Sequence, residues 1–304
     1  MRIAVIDLGT NTCNLLIADI NTKGYTILHQ SKQLVKLGDS KIKTNKISDE
    51  ATKRTLQAFQ SHRQLIQKYK VEKVKAIATS AVRDAENKIE FLEKISDASG
   101  WIIKVINGKK EAALIFEGVL LAFGELKKPA LILDIGGGSN ELILAKNKKM
   151  LWKESRPTGM ARVINQFAIS DPILPTETKT LQNYFLKEHK NALKECHANS
   201  AKTLIGCSGA FDTIADIIDG VNPGEKIRTK QLIPLKQFYE VYNLLITSTR
   251  QQRLKIKGMD LVRIDLIVPA VIFIECVVSK IEITQILQTD FAVREGVLFS
   301  FVKF

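Results

Sequence analysis

Residues 7–18, Asp-Leu-Gly-Thr-Asn-Thr-Cys-Asn-Leu-Leu-Ile-Ala, and residues 134–145, Asp-Ile-Gly-Gly-Gly-Ser-Asn-Glu-Leu-Ile-Leu-Ala, align without a gap. Each begins with an Asp that closes an apolar strand (Ile3 to Ile6, Leu131 to Leu133), turns through Gly and small hydroxyl residues, and returns as a second apolar strand. Gly supplies the backbone angles of a tight turn and lets backbone N–H groups approach an anion with no Cβ in the way. The Asp beside each turn adds a carboxylate able to hold a divalent cation, directly or through water. One such turn occurs in many ordinary hairpins. Two, each opening an αβ region, predict a duplicated domain with a pair of phosphate-facing loops.

The segments between the hairpins carry helical and strand periods in alternation. Ser48 is placed to cap a helix running to about Tyr69, with Leu56, Phe59, Ile66 and Tyr69 as its core stripe. A strand over 73–79, a helix from Glu86 to Ile95 and a strand from Trp101 to Ile106 follow. Asn107-Gly108 then turns into a helix from Lys109 to Phe123. Pro129 marks a joint, and beyond the second hairpin the turn Lys146 to Lys149 leads into a strand through Leu151. Helices are expected at 177–195, 208–218, 235–250 and 260–279, a strand from Ile283 to Gln288, and a last helix from about Val293. Hairpin strands first, then alternating helix and strand, is an α/β pattern with mixed sheets.

Composition narrows the function. The chain of 304 residues carries 45 Lys and Arg against 32 Asp and Glu, a net charge of +13, which attracts polyanions. It has no aromatic-basic interleaving, helix-turn-helix or zinc-finger pattern, so a phosphate-rich small molecule or polymer is expected rather than nucleic acid. Cys13, Cys196, Cys207 and Cys276 lack metal or disulfide spacing. The longest apolar stretch, Leu266 to Ile274, is too short to span a bilayer, and Asp7 interrupts the N-terminal apolar run. A cytoplasmic chain without membrane contact is the expectation.

Several segments, in order, carry a resemblance: Ile6-Asp7-Leu8-Gly9-Thr10-Asn11-Thr12, Ala78-Thr79-Ser80-Ala81-Val82-Arg83-Asp84-Ala85, Gly108 leading to Glu111-Ala112, Asp134-Ile135-Gly136-Gly137-Gly138-Ser139-Asn140-Glu141, and Thr289-Asp290 with Arg294-Glu295-Gly296. Together they resemble the exopolyphosphatase / guanosine pentaphosphate phosphohydrolase (Ppx/GppA) family. That fold is shared with actin, sugar kinases and heat-shock chaperone ATPases. The resemblance implies two duplicated actin-like ATPase (ribonuclease H-like) domains, residues 1–124 and 125–304, with mixed sheets flanking a central cleft. It implies an exopolyphosphatase acting on inorganic polyphosphate, with guanosine pentaphosphate as the alternative substrate and a homodimer as the assembly. An ATP-dependent kinase of the same superfamily and a non-catalytic polyphosphate or alarmone sensor are the remaining readings.

Hydrolysis of a phosphoanhydride needs a cradle, charge neutralisation and a positioned water. Gly9, Thr10 and Asn11 in one turn and Gly136, Gly137, Gly138 and Ser139 in the other would form the cradle. Arg83 suits either a salt bridge to Asp84 or a neighbour, or a phosphate clamp; the resemblance implies the clamp. Asp7, Asp134 and Glu141 beside a phosphate make sense chiefly as a Mg²⁺ (or Mn²⁺) cluster. Glu111 is an ordinary acidic residue of a first helical turn. The resemblance implies that it is the general base, with Asp134 and Glu141 positioning metal and water.

Three departures from the family's pattern stand out. Lys110 replaces an acidic neighbour of Glu111, and at about 100° around the helix it need not disturb that site. Gly206-Cys207-Ser208-Gly209-Ala210 loses one glycine and one hydroxyl, which argues against a nucleotide lying on this turn. Pro269-Ala270 replaces a glycine pair in an apolar helix, where a kink is expected. The chain reaches Phe304 eight residues after Gly296, without the further helical region of longer members, so short polyphosphates are the expected substrates.

Overall fold

From Ile3 to Leu8 every residue except Asp7 is apolar, as a strand covered on both faces requires. In the computed structural model, which describes residues 1–22, 24–38 and 45–302, this segment is the centre of the first of two sheets. Phe304 lies outside the described residues. β1 (Arg2–Leu8) pairs antiparallel with β2 (Thr12–Asn21), which pairs antiparallel with β3 (Gly24–Leu34). On its other side β1 pairs parallel with β4 (Lys73–Ala78), and β4 with β5 (Ile103–Val105). The connections are α1 (Asp49–Lys68), α2 (Ser80–Arg83), α3 (Lys88–Ser99) and α4 (Gly108–Phe123). Ala4, Ile6 and Leu8 share a core with Phe59 and Ile66 of α1 and Phe91 and Ile95 of α3. Ser48 caps α1 as predicted, its hydroxyl accepting from the Ala51 N–H at 3.2 Å.

The second sheet repeats the first. β6 (Leu126–Ile135), β7 (Asn140–Asn147) and β8 (Lys149–Arg156) form the antiparallel set, followed in the chain by α5 (Met160–Gln166), α6 (Pro175–Glu188) and α7 (Lys190–Ala198). β9 (Thr203–Cys207) runs parallel to β6 and leads into α8 (Gly209–Asp219), β10 (Gln231–Ile233), α9 (Leu235–Thr247), α10 (Arg250–Arg253) and α11 (Ile267–Ile281). β11 (Gln285–Thr289) and α12 (Val293–Phe299) complete the chain. The strand orders β3-β2-β1-β4-β5 and β8-β7-β6-β9-β11, with β10 added at the edge, are the same architecture twice. α11 is apolar around its circumference because it packs against α5, α6, α7, α8 and α9. No helix among the described residues is long and apolar enough to cross a membrane.

The chain divides into two compact units, residues 1–118 with the segment from Val293, and Val119–Ala292. The sequence reading keeps that last segment with residues 125–292. The structure returns it to the first unit because α12 packs on β1 and Gly296 meets α4 so closely that a Cβ there would lie 1.8 Å from the Leu114 carbonyl oxygen. Pro129 sits inside β6 at a shift in register, a place where a strand tolerates the missing donor. The single helix expected over 177–195 is two, divided at His189. The kink expected at Pro269 is overturned: α11 begins at Ile267, so Pro269 occupies its first turn, where no intrahelical bond is lost.

His62 of α1 is fully buried, its Nε2–H donating to the Cys13 carbonyl at 3.2 Å while Nδ1 has no partner. Burial pushes its pKa down from 6.5 to about 4, with a smaller push from His29. A depressed histidine stabilises the fold above its unfolded pKa, and that stability drains away as pH falls toward 4. The expected loss is about 3 kcal/mol across that window. Urea midpoints at pH 7, 5.5 and 4.5 should show it in the native chain and show a shallower decline in His62→Gln.

Candidate active site

In the first unit, β1, β4 and β5 are parallel, and their carboxyl ends bring three segments together. The Gly9 N–H donates to Thr12 O at 2.9 Å and closes the first turn; the Thr79 N–H donates to Leu8 O, and the Ile106 N–H to Ala78 O. The turn is held from one side. Thr10 O accepts from the Leu37 N–H, and Asn11 O from the N–H groups of Val35 and Lys36. Because a trans peptide points its N–H opposite its C=O, the Asn11 N–H faces the other way. The Asn11 side chain leaves Nδ2 buried and without a hydrogen-bond partner. A buried donor without a partner is uncommon in native packing.

Asp7, half-buried beneath this turn, has Oδ1 buried and unpartnered, while Oδ2 accepts weakly from Asn14 at 3.4 Å. Burial raises its pKa to about 6, opposed by the Arg294 guanidinium and the Asn14 hydrogen bond and assisted by Glu295. Arg83 ends α2 and reaches Glu111 in the first turn of α4, Nη1 to Oε2 at 3.0 Å, and donates to Ile106 O at 3.1 Å. Its Nε lies 3.5 Å from Asp84. The structure shows the salt-bridge reading of Arg83, with Glu111 as its closest partner. Glu111 is buried, and Lys110 points to solvent, as the helical period predicts.

In the second unit the corresponding turn is closed by the Gly136 N–H donating to Ser139 O at 3.0 Å. A Cβ on Gly136 would lie 2.6 Å from that oxygen, so the glycine is required. Here too the carbonyls are engaged from one side. Gly136 O and Gly137 O accept from the Met160 and Ala161 N–H groups at the start of α5, and Gly138 O from Arg162 Nε. The N–H groups of Gly137, Gly138 and Ser139 consequently face away from α5. Gly159 permits this contact, since a Cβ there would meet the backbone of Gly137 and Gly138 at 2.5 Å.

Asp134 and Glu141 are directly opposite on β6 and β7, and both are buried. Opposed residues of an antiparallel pair share a face, so the two carboxylates lie together. Ser155 Oγ donates to Glu141 Oε1 at 2.7 Å and Ser208 Oγ to Asp134 Oδ1 at 2.5 Å. The sequence expectation grouped Asp7 with this pair as one metal cluster. Among the described residues no three His, Cys, Asp or Glu side chains are gathered to hold a metal ion. Asp7 belongs to the first unit, and the second unit itself supplies the pair. Two carboxylates suit Mg²⁺, which keeps several waters and takes one or two protein carboxylates beside substrate phosphates.

The sequence model of the Ppx/GppA phosphatase family matches residues 16–303. The chain belongs to this family. A crystal structure of an exopolyphosphatase from Cytophaga hutchinsonii is similar at 36% identity and a TM-score of 0.93, covering 99% of this chain and 97% of that one. The PPX-GPPA enzyme of Aquifex aeolicus is similar at 26% identity and a TM-score of 0.84, covering 99% of both chains. Exopolyphosphatase 2 of Mycobacterium tuberculosis is 28% identical over 98% of each chain. The two actin-like domains that the resemblance implied are thus the fold of this phosphatase.

Within this Ppx/GppA phosphatase, sequence reasoning missed several supporting residues. Asn140 Nδ2 donates to Thr158, Thr158 Oγ1 meets His189 Nε2 at 2.9 Å, and His189 Nδ1 meets Glu154 at 3.0 Å, a buried chain that anchors the start of β7. Arg263 lies against Gly209 at the start of α8, where a Cβ would come within 2.2 Å of its guanidinium, and its Nε is buried without a partner. Asn140 and Ser208 adjoin recognisable turns and could have been suspected; Arg263 stands 54 residues from Gly209 and gives no local signal.

Proposed function

We propose that this phosphatase is an exopolyphosphatase that uses Mg²⁺ or Mn²⁺ to release terminal orthophosphate from inorganic polyphosphate. The observation that carries the reading is the construction of the two turns. In each, the carbonyls are tied down on one side and the N–H groups are aimed to the other, which is how a backbone binds an oxyanion. The net charge of +13 favours a polyanion, and the turn at Gly206 to Ala210 lacks a glycine and a hydroxyl of the family's pattern. The exopolyphosphatases among its relatives support the same substrate class.

Each residue then has a definite task. Arg83 donates to the terminal phosphate from the guanidinium N–H groups not engaged with Glu111 and Ile106. The Glu111 carboxylate accepts a proton from the attacking water, whose oxygen bonds to the terminal phosphorus as the bridging P–O bond breaks. The electron pair of that bond leaves with the shortened chain, and Glu111 returns its proton to solvent. A divalent cation held by Asp134 and Glu141 would offset the charge of the phosphate oxygens. The test is phosphate release from polyphosphate, guanosine pentaphosphate and ATP in parallel. Fastest release from polyphosphate is expected. Preference for guanosine pentaphosphate would overturn the substrate assignment, and binding without release would identify a sensor.

A further inference from the structure

Ser208 has a backbone that only glycine adopts readily. Its φ is +67° and its ψ 173°, a region essentially reserved for residues without a Cβ. It is also the residue preceding α8, where a serine ordinarily accepts a hydrogen bond from the helix's first N–H groups. Here it makes no such cap. The hydroxyl instead turns to Asp134 and donates to Oδ1 at 2.5 Å. Two local preferences of serine are forgone at one position, and the contact that stands against them is a charge-assisted bond to a buried carboxylate. Glu141, opposite Asp134, is held in the same manner by Ser155 at 2.7 Å.

We infer that Ser208 is a positioning residue: its hydroxyl fixes the rotamer of Asp134, and the strained backbone is what brings the hydroxyl there. The inference rests on the proposed role of Asp134 in polyphosphate hydrolysis. It separates stability from activity at a single residue, because glycine would relax the backbone while removing the donor, and alanine would keep the strain while removing the donor.

Ser208→Gly is expected to raise the thermal midpoint by roughly 2–8 °C. Its kcat on polyphosphate should fall about tenfold, with KM little changed. Ser208→Ala should lose kcat to the same extent without gaining stability. In an Asp134→Asn background, Ser208→Gly should still raise the midpoint but leave the residual kcat unaltered. A Ser208→Gly enzyme with full kcat, in a protein where Asp134→Asn is inactive, would overturn the inference while leaving the proposed function standing. An Asp134→Asn enzyme with native kcat would remove the role of Asp134 and the inference with it. Equal midpoints for Ser208→Gly and the native chain would show that the backbone carries no strain.

Discussion

Glu111→Gln should lower turnover on polyphosphate by about 10²- to 10⁴-fold, the usual contribution of a positioned general base. Substrate affinity should be nearly unchanged. Gln retains the shape of Glu111, so its Oε1 can still accept from Arg83, whose Nη1 now lies 3.0 Å from the carboxylate. What it loses is the ability to accept a proton. The companion variant Arg83→Lys gives the contrasting pattern: it keeps the charge and loses the fork, so KM should rise along with any fall in kcat. Steady-state phosphate release gives kcat and KM for both. A Glu111→Gln enzyme with near-native kcat would place the base elsewhere.

The Arg83–Glu111 pair also shows where the sequence stopped being legible. Both residues stood out, one in Ala-Thr-Ser-Ala-Val-Arg and the other just inside a helix, but they are 28 residues apart and nothing local joins them. The parallel pairing of Ala78 with Val105 joins them, by setting the ends of β4 and β5 side by side. The two turns were legible because their chemistry is local: glycine where a Cβ would strike Ser139 O, and an Asp at the strand end. β3 was not foreseen because it is a half-exposed strand with few large apolar residues, leaving little period-2 signal. His189 divides α6 from α7 while its ring bonds Thr158 and Glu154, partners more than thirty residues distant. Arg263 was invisible for the same reason, since its place over Gly209 is made by tertiary packing.

The second large effect concerns the cation. Asp134 and Glu141 are buried and face one another across β6 and β7, and like charges directly opposite destabilise a sheet. A divalent ion held by the pair would offset that repulsion. Chelation should therefore abolish phosphate release, and Mg²⁺ alone, without substrate, should raise the thermal midpoint. At about one hundred times its dissociation constant a ligand stabilises by about 2.7 kcal/mol, or roughly 5–10 °C for a unit of this size. Glu141→Gln keeps the shape and the acceptor for Ser155 but removes one charge. Its metal-free form should melt about 2–4 °C above the native chain, its Mg²⁺ shift should shrink, and its turnover should drop on the order of 10²-fold or more. The opposite signs matter: damage to the fold lowers both stability and activity, whereas loss of a metal ligand from an opposed pair raises one and lowers the other. If Mg²⁺ leaves the native midpoint unmoved and chelator leaves turnover intact, Asp134 and Glu141 are not a metal site, and the cation drops out of the mechanism.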